Sequence, residues 1–379
     1  MWPLREDESL VYMWEDIARE YCAIHGARPF NVSHWDTLWE LPVFRAQPAS
    51  SEDLIRYAYS YHLDAEESLL SKLGFKPSQK SLLITPNGTL SMLALLSYAA
   101  DVRGITTLDV LCPFYFSLER QARRTGIRLR YHYMERRQGR YLLPSGFLRC
   151  ADVRAVWVTN PVFSSSMYLA PRDLEDLRQF LAQGGIVMAD ESLSLSGCEI
   201  GRTLGENPDF WGIYTPQKSL GTNGLKFSAV VLQSEAWQYL ETWSDAFAGS
   251  LNATTAVAVR HYLSPNFEAL HDWFCREVAD ASQAVRRTIA NFPAFTVDDD
   301  PRGHFVMCYA TGIPAECARD PDFFRKIVFR SGATFIPGIR NRYDPRLGLC
   351  FRINLARRVG MFESSLTRLL GALSPHMMG

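Results

Sequence analysis

Lysine is scarce in this 379-residue chain: there are six (Lys72, Lys76, Lys80, Lys218, Lys226 and Lys326) against 34 arginines. Ordinary positive surface is therefore built from arginine. A lysine set among glycines and apolar residues needs a chemical reason, and an amine that sheds its proton to form an imine is one. Net charge is also lacking, at −1, so there is no global electrostatic case for nucleic acid or a membrane surface. No run of about 18 apolar residues suggests a membrane span. The eight cysteines are scattered and form no C-x-x-C pair. That argues against zinc and a disulfide framework and points to a reducing, cytoplasmic setting. The acidic start, Met1-Trp2-Pro3-Leu4-Arg5-Glu6-Asp7-Glu8, has no apolar segment of the signal-peptide kind. The histidines show no metal-ligand spacing, and surface or packing roles are expected for His62, His132, His261, His271, His304 and His376.

What is present is a 47% hydrophobic chain, long enough for one large and one smaller domain. Leu10, Val11, Met13, Trp14, Ile17, Ala18, Tyr21 and Cys22 recur at helical spacing, closed by Gly26. Residues 51–75 read as an amphipathic helical region carrying Tyr57, Tyr59 and Tyr61. From about 80 to 235 strands and helices alternate. Strands are expected at Ser81–Thr85, Thr106–Cys112, Ile127–Met134, Val153–Thr159, Gly185–Asp190, Phe210–Tyr214 and Phe227–Leu232. Helices are expected at Thr89–Val102, Tyr115–Gly126 and Pro171–Gln183. Continuous apolar strands such as Ile186–Ala189 belong in a sheet covered on both faces. The alternation predicts an α/β fold with a mostly parallel, doubly wound sheet. Long helices over 236–290 precede a smaller α/β unit with strands at His304–Tyr309 and Leu347–Ile353. The expected division is 1–45 (a segment joining the small domain and covering the site), 46–275 (large domain) and 276–379 (small domain).

Ligands of such sheets bind beyond the carboxyl ends of the strands, where four clusters fall. Asn87-Gly88-Thr89 joins a strand to a helix, and its backbone N–H groups suit a phosphate; taken alone it is an ordinary turn. Pro113-Phe114-Tyr115 places an aromatic ring after a strand, where a plain core aromatic is the simpler reading. Asp190 ends an apolar strand, as a sheet-end residue or a cation's partner. The loop Tyr214–Lys226 holds Lys218 and Lys226 around Gly221 and Gly224; in isolation it reads as a solvated loop. Together they make an imine-forming lysine, a phosphate cradle, a stacking aromatic and a carboxylate for a ring nitrogen.

With Lys218-x-x-Gly221-x-x-Gly224-x-Lys226 and Phe351-Arg352-Ile353-Asn354, the chain from about 28 to 373 resembles the class I/II aminotransferases. These are pyridoxal 5'-phosphate enzymes of the type I fold. The resemblance implies that cofactor, a small-molecule L-amino acid substrate bound as an external aldimine, and a homodimer. It makes Lys218 the Schiff-base lysine and proton shuttle, Asp190 the partner of the pyridine nitrogen and Tyr115 the stacking ring. Asn87, Gly88, Thr89, Thr215 and Lys226 fall to the phosphate, and Arg352 to the substrate carboxylate, for which a guanidinium fork suits better than an amine. His34 and Trp35, with Asp36, His25, Asp7, Glu8, Glu15 and Asp16, are candidates to meet the substrate side chain. An acidic helix start is also simply a dipole-favoured terminus. One of Tyr57, Tyr59 or Tyr61 is expected to reach a neighbouring subunit's phosphate.

Departures from the family pattern bear on the reaction. Where the family has Asn-Pro-x-Asn-Pro-Thr-Gly, this chain has Asn160-Pro161-Val162-Phe163-Ser164-Ser165-Ser166. Where the family has a tyrosine three residues after the aspartate, Leu193 stands. Both usual donors to the cofactor's phenolic oxygen are replaced, which raises the basicity of the neighbouring imine. Asn160, Ser192 and Ser194 are candidate substitutes. Transamination is the family default. Elimination or cyclisation of the capreomycidine or enduracididine type, decarboxylation, and oxidation of an amino acid such as an arginine derivative are the alternatives. Retention of Lys218, Asp190 and Arg352 argues against a non-catalytic use of the fold.

Overall fold

The structure is a computed structural model, and it describes residues 6–34, 58–59, 65–195, 197–222, 224–299, 301–356 and 359–377. Trp35, Asp36, Tyr57 and Tyr61 lie outside the described residues, and of Tyr59 only the backbone is described.

Seven strands form the central sheet: β1 (Lys80–Thr85), β2 (Thr107–Cys112), β3 (Arg128–Tyr133), β4 (Ala155–Thr159), β5 (Ile186–Asp190), β6 (Phe210–Tyr214) and β7 (Ser228–Gln233). Their spatial order is β1-β7-β6-β5-β4-β2-β3. The pairs β6–β5, β5–β4, β4–β2 and β2–β3 are parallel. Strand β7 runs antiparallel to both β6 and β1, because the loop carrying Lys218 turns the chain straight back beside β6. The strands are apolar on both faces. Val156, Val158, Val187 and Ala189 pack into one core cluster, and Ala155, Trp157, Ile186 and Met188 into the other. A strand buried on both sides needs this continuous apolar run, so the expected α/β fold with a mostly parallel sheet is what forms.

Helix α1 (Glu6–His25) sends Leu10, Trp14 and Ile17 into the core, and it ends at Gly26, whose φ of 71° suits glycine. The next residues, Phe30–Asn31, pair in parallel with Ala333–Thr334. Helix α2 (Gly88–Asp101) leaves β1, and α3 (Pro171–Ala182) starts on a proline, where a missing N–H does no harm. The expected long helices over 236–290 are broken. Trp237–Trp243 and Ala253–Leu263 flank a short strand, and α4 (Asn266–Ala290) is the one long span. A second sheet, β8 (Thr296–Val297), β9 (Phe305–Ala310) and β10 (Leu349–Asn354), shares one apolar core with α5 (Pro321–Ser331) and α6 (Val359–Leu373). Of the helical region expected over 51–75, the described residues form a helix at Glu66–Leu73, while Ala58–Tyr59 pairs as a strand with Ser250–Leu251. Tyrosine favours extended backbone, and this tertiary pairing overrides the helical period. No helix among the described residues is long and apolar enough to cross a membrane.

Candidate active site

The site lies at the carboxyl ends of β1, β4, β5 and β6. Asn87 caps α2 from an extended backbone, and its side-chain oxygen accepts from the Leu90 amide at 3.0 Å. Gly88 then opens the helix against three hydroxyls. A Cβ there would sit 3.4 Å from Thr215 Oγ1, 3.6 Å from Ser192 Oγ and 3.9 Å from Ser228 Oγ. The hydroxyls form one connected set: Thr215 donates to Ser228 at 3.1 Å and lies 3.2 Å from the Ser192 hydroxyl, and Ser91 donates to Ser228 at 2.8 Å. Ser228 passes its proton on to the Tyr214 carbonyl at 2.9 Å. A helix N-terminus, a side-chain-free position and a hydroxyl cluster, with Lys226 lining the same pocket, make an anion cradle.

Asp190 forms the floor of that pocket. It ends β5, is buried, and accepts from the Ser192 amide at 3.1 Å. Lys218 sits in a short 3-10 turn, Pro216–Leu220, which Gly221 closes at a φ of 65°. Burial pulls the Lys218 amine down to about 8; nearby Asp190 opposes this, while Lys226 and Arg352 add to it. Tyr115 lines the pocket, its ring 5.6 Å from that of Phe163. Phe163 and Leu193 both face the pocket, as apolar surface. Ser164 and Ser166, in the turn that follows Phe163, adopt positive φ, and the Tyr343 hydroxyl donates to the Phe163 carbonyl. The loop is thereby held where a polar side chain was expected from the family pattern.

Tyr115 and Phe163 also wall a second cavity of about 330 Å³, which contains Arg352, Arg340, His34, Asn31, Trp14 and Glu15. Arg352 comes from β10, is buried, donates from Nε to the Ser33 carbonyl at 3.0 Å and lies 4.6 Å over the Phe305 ring. The backbone of His34 is fixed by a 2.6 Å bond from Asn354. Buried His304 stays neutral: burial pushes it down to about 3, and the charges of Lys218 and Arg352 push the same way.

The structure brings together Lys218, Asp190, Tyr115, Asn87, Gly88, Thr89, Ser192 and Lys226 around the first cavity, and Arg352 and His34 around the second. Two expectations change. Asn160 turns away from the pocket: its amide donates to Glu191 at 3.4 Å, and its oxygen accepts from the Leu169 amide at 3.0 Å. Ser194 bonds to Gly197 and Tyr168 instead. Ser192 reaches the hydroxyl cluster beside Gly88. Of the other side-chain candidates, Glu15 lines the second cavity, His25 stacks on Tyr21 at 4.2 Å, and Asp16 pairs with Arg19. Two residues went unnoticed in the sequence, Thr159 and Arg340. Thr159 is the register partner of Asp190 on β4 and lines the pocket with its buried hydroxyl unbonded. Its signal was the strand end itself, one residue before Asn160. Arg340 had no signal among so many arginines.

No protein-family model matches the sequence, and no curated protein matches it either. Solved structures do match. A variant of Thermus thermophilus aspartate aminotransferase superposes with a TM-score of 0.78 at 13% identity, over 99% of this chain and 100% of that one. Pyrococcus horikoshii aromatic aminotransferase gives 0.77 at 14% identity, over 94% and 99%. A C-S lyase from Staphylococcus hominis, with pyridoxal phosphate bound, gives 0.68 at 15% identity, over 96% and 89%. The chain has the fold of the class I/II aminotransferases, the type I fold of pyridoxal-phosphate enzymes, along nearly its whole length.

Proposed function

We propose that the protein is a pyridoxal-phosphate-dependent enzyme that acts at the α-carbon of an L-amino acid, with transamination as the leading reaction. The observation that carries this is the meeting of Lys218, Asp190 and the Gly88–Thr89 helix start in one pocket that adjoins the Arg352 cavity. The donor set fits the cofactor. Gly88 opens the helix within ordinary contact distance of three hydroxyls, Lys226 adds charge, and the unbonded Thr159 hydroxyl is a buried polar atom in need of a partner. Thr89, Thr215, Ser192 and Lys226 would hold the phosphate, Asp190 the ring nitrogen, and Tyr115 the ring face. The cofactor would supply an aldehyde that amines attack and a protonated ring that draws electrons from the α-carbon.

The chain's own groups do the rest. With its amine near 8, Lys218 can both take and return a proton at the α-carbon around neutral pH. Arg352, buried and oriented by the Ser33 carbonyl and the Phe305 ring, holds the substrate carboxylate as a charge-assisted pair. Phe163 and Leu193 place apolar surface on the pocket wall. That favours a second reading, in which the reaction diverts to elimination, cyclisation, decarboxylation or oxidation. The test is product analysis by mass spectrometry over a panel of amino acids, with and without an α-keto acid. Turnover only with the acceptor is expected. Turnover without it selects the second reading, and protein with no visible absorbance after addition of pyridoxal phosphate overturns both. We assign residues 46–275 to the cofactor-holding domain, and 1–45 with 276–379 to the unit covering the substrate, in a homodimer.

A further inference from the structure

The cavity that holds Arg352 contains a second arginine, Arg340, that has no acid to pair with among the described residues. Arg340 leaves the short turn Gly338–Asn341, and its guanidinium lies 4.3 Å over the Phe116 ring. Among the described residues no carboxylate stands within ion-pair reach of it; burial works against its charge, and the like charge of Arg120 works the same way. Arg120 flanks the same Phe116 ring at 5.8 Å, and Arg352 feels Arg340 as a like charge. Phe116 offsets part of this through its ring face, by about 0.5–2 kcal/mol, but a ring does not neutralise a guanidinium. Glu15 is the carboxylate that lines this cavity among the described residues. Its side chain is 55% exposed and lies 3.8 Å from the Arg28 guanidinium. Arg352 and Arg340 thus share one partly enclosed chamber of about 330 Å³, and an α-carboxylate held by Arg352 leaves Arg340 without a counter-charge among the described residues.

We propose that this chamber selects an amino acid whose side chain ends in a carboxylate, with Arg352 on the α-carboxylate and Arg340 on the distal one. The assignment rests on the functional reading above, since it takes Arg352 as the α-carboxylate clamp. A planar fork matches a carboxylate in two parallel bonds, and pairing a desolvated cation removes the penalty of leaving it alone. Trp14, Phe116 and Phe163 supply the apolar walls for the carbon chain between the two acids. An amide in place of the distal carboxylate would leave Arg340 without a counter-charge. An amine there would add a third positive charge.

The test is calorimetric binding to protein loaded with pyridoxal phosphate, using unreactive matched pairs: glutarate against glutaramate, and succinate against succinamate. In the native protein the diacid binds at least about tenfold tighter than its monoamide, about 1.4 kcal/mol. In Arg340→Met that ratio falls toward one, and Arg340→Lys keeps part of it. Equal binding of acid and amide, a ratio that survives Arg340→Met, or tighter binding of 5-aminopentanoate than of glutarate overturns the proposal. If Arg340→Met does not fold, the native ratio alone decides. Failure of the functional reading shows separately as protein that takes up no visible cofactor, and the diacid ratio remains measurable on that same protein.

Discussion

Thr159 and Asp190 are register partners across the parallel strands β4 and β5, and both line one pocket. Their situations differ. Asp190 accepts from the Ser192 amide at 3.1 Å, while the Thr159 hydroxyl, on a residue only 4% exposed, has no hydrogen-bond partner. A buried hydroxyl left unbonded destabilises the fold unless a ligand satisfies it.

Thr159→Val should therefore act in opposite directions on the two states. The isosteric methyl should stabilise the ligand-free protein by about 1 kcal/mol, seen as a higher urea midpoint. The same change should loosen pyridoxal phosphate binding, read by absorbance titration. A lower midpoint without ligand would show that the hydroxyl is satisfied from within the protein.

The Lys218 amine, held near 8 against an ordinary lysine value of 10.5, gives a pH signature. Between those values the folded protein binds fewer protons than the unfolded chain, so this group makes stability rise with pH across that window. Its destabilising effect is complete below about 8. Lys218→Met should flatten that rise in denaturant midpoints measured from pH 7.5 to 10. Cofactor capture by ligand-free protein should also quicken as pH climbs through about 8, where the amine loses its proton. A capture rate flat across this range would contradict the burial argument. Borohydride should trap cofactor on the native protein and none on Lys218→Ala; trapping that persists moves the imine to another lysine.

Lys226 lines the cradle as a point charge. Lys226→Met should weaken pyridoxal phosphate by about 10–100-fold, of the size expected for losing a charge-assisted bond, yet leave pyridoxal, which lacks the phosphate, nearly unaffected. Equal losses for both compounds would place Lys226 elsewhere on the cofactor. Lys226→Arg should bind the phosphate form at least as tightly as the native protein.

Arg352→Lys keeps the charge but not the fork, and it gives up the bond from Nε to the Ser33 carbonyl and the contact with Phe305. Substrate binding should fall by about 2–5 kcal/mol, since the α-carboxylate is left poorly paired in a buried site. The visible spectrum of bound cofactor should stay as it was. A changed spectrum would mean that Arg352 acts on the cofactor and not on the substrate.

Much of this site could be read before the fold was known. Lys218, Asp190, Tyr115 and Gly88 occupy strand ends or the turns that follow them, and each apolar strand is marked by its own composition. Such positions converge once strands lie parallel in one sheet, whatever the details of packing. The tyrosine-rich segment around 57–61 shows the limit. Its helical period was real, yet Ala58–Tyr59 pairs with Ser250–Leu251, a partner nearly two hundred residues away that no local pattern announces.

The sequence by itself determined the α/β architecture and the chemical types at the strand ends, because burial period and turn residues are local properties. Only the tertiary structure decided where each side chain points. Asn160, just past the end of β4, bonds through its amide to Glu191 and the Leu169 backbone, and Ser192 joins the hydroxyls beside Gly88. Thr159 faces the pocket because strand register sets it beside Asp190. Arg340 became notable only when its surroundings were seen to hold Arg120 and Arg352 and no carboxylate partner among the described residues. A charge's significance lies in what surrounds it, and long-range packing supplies those surroundings.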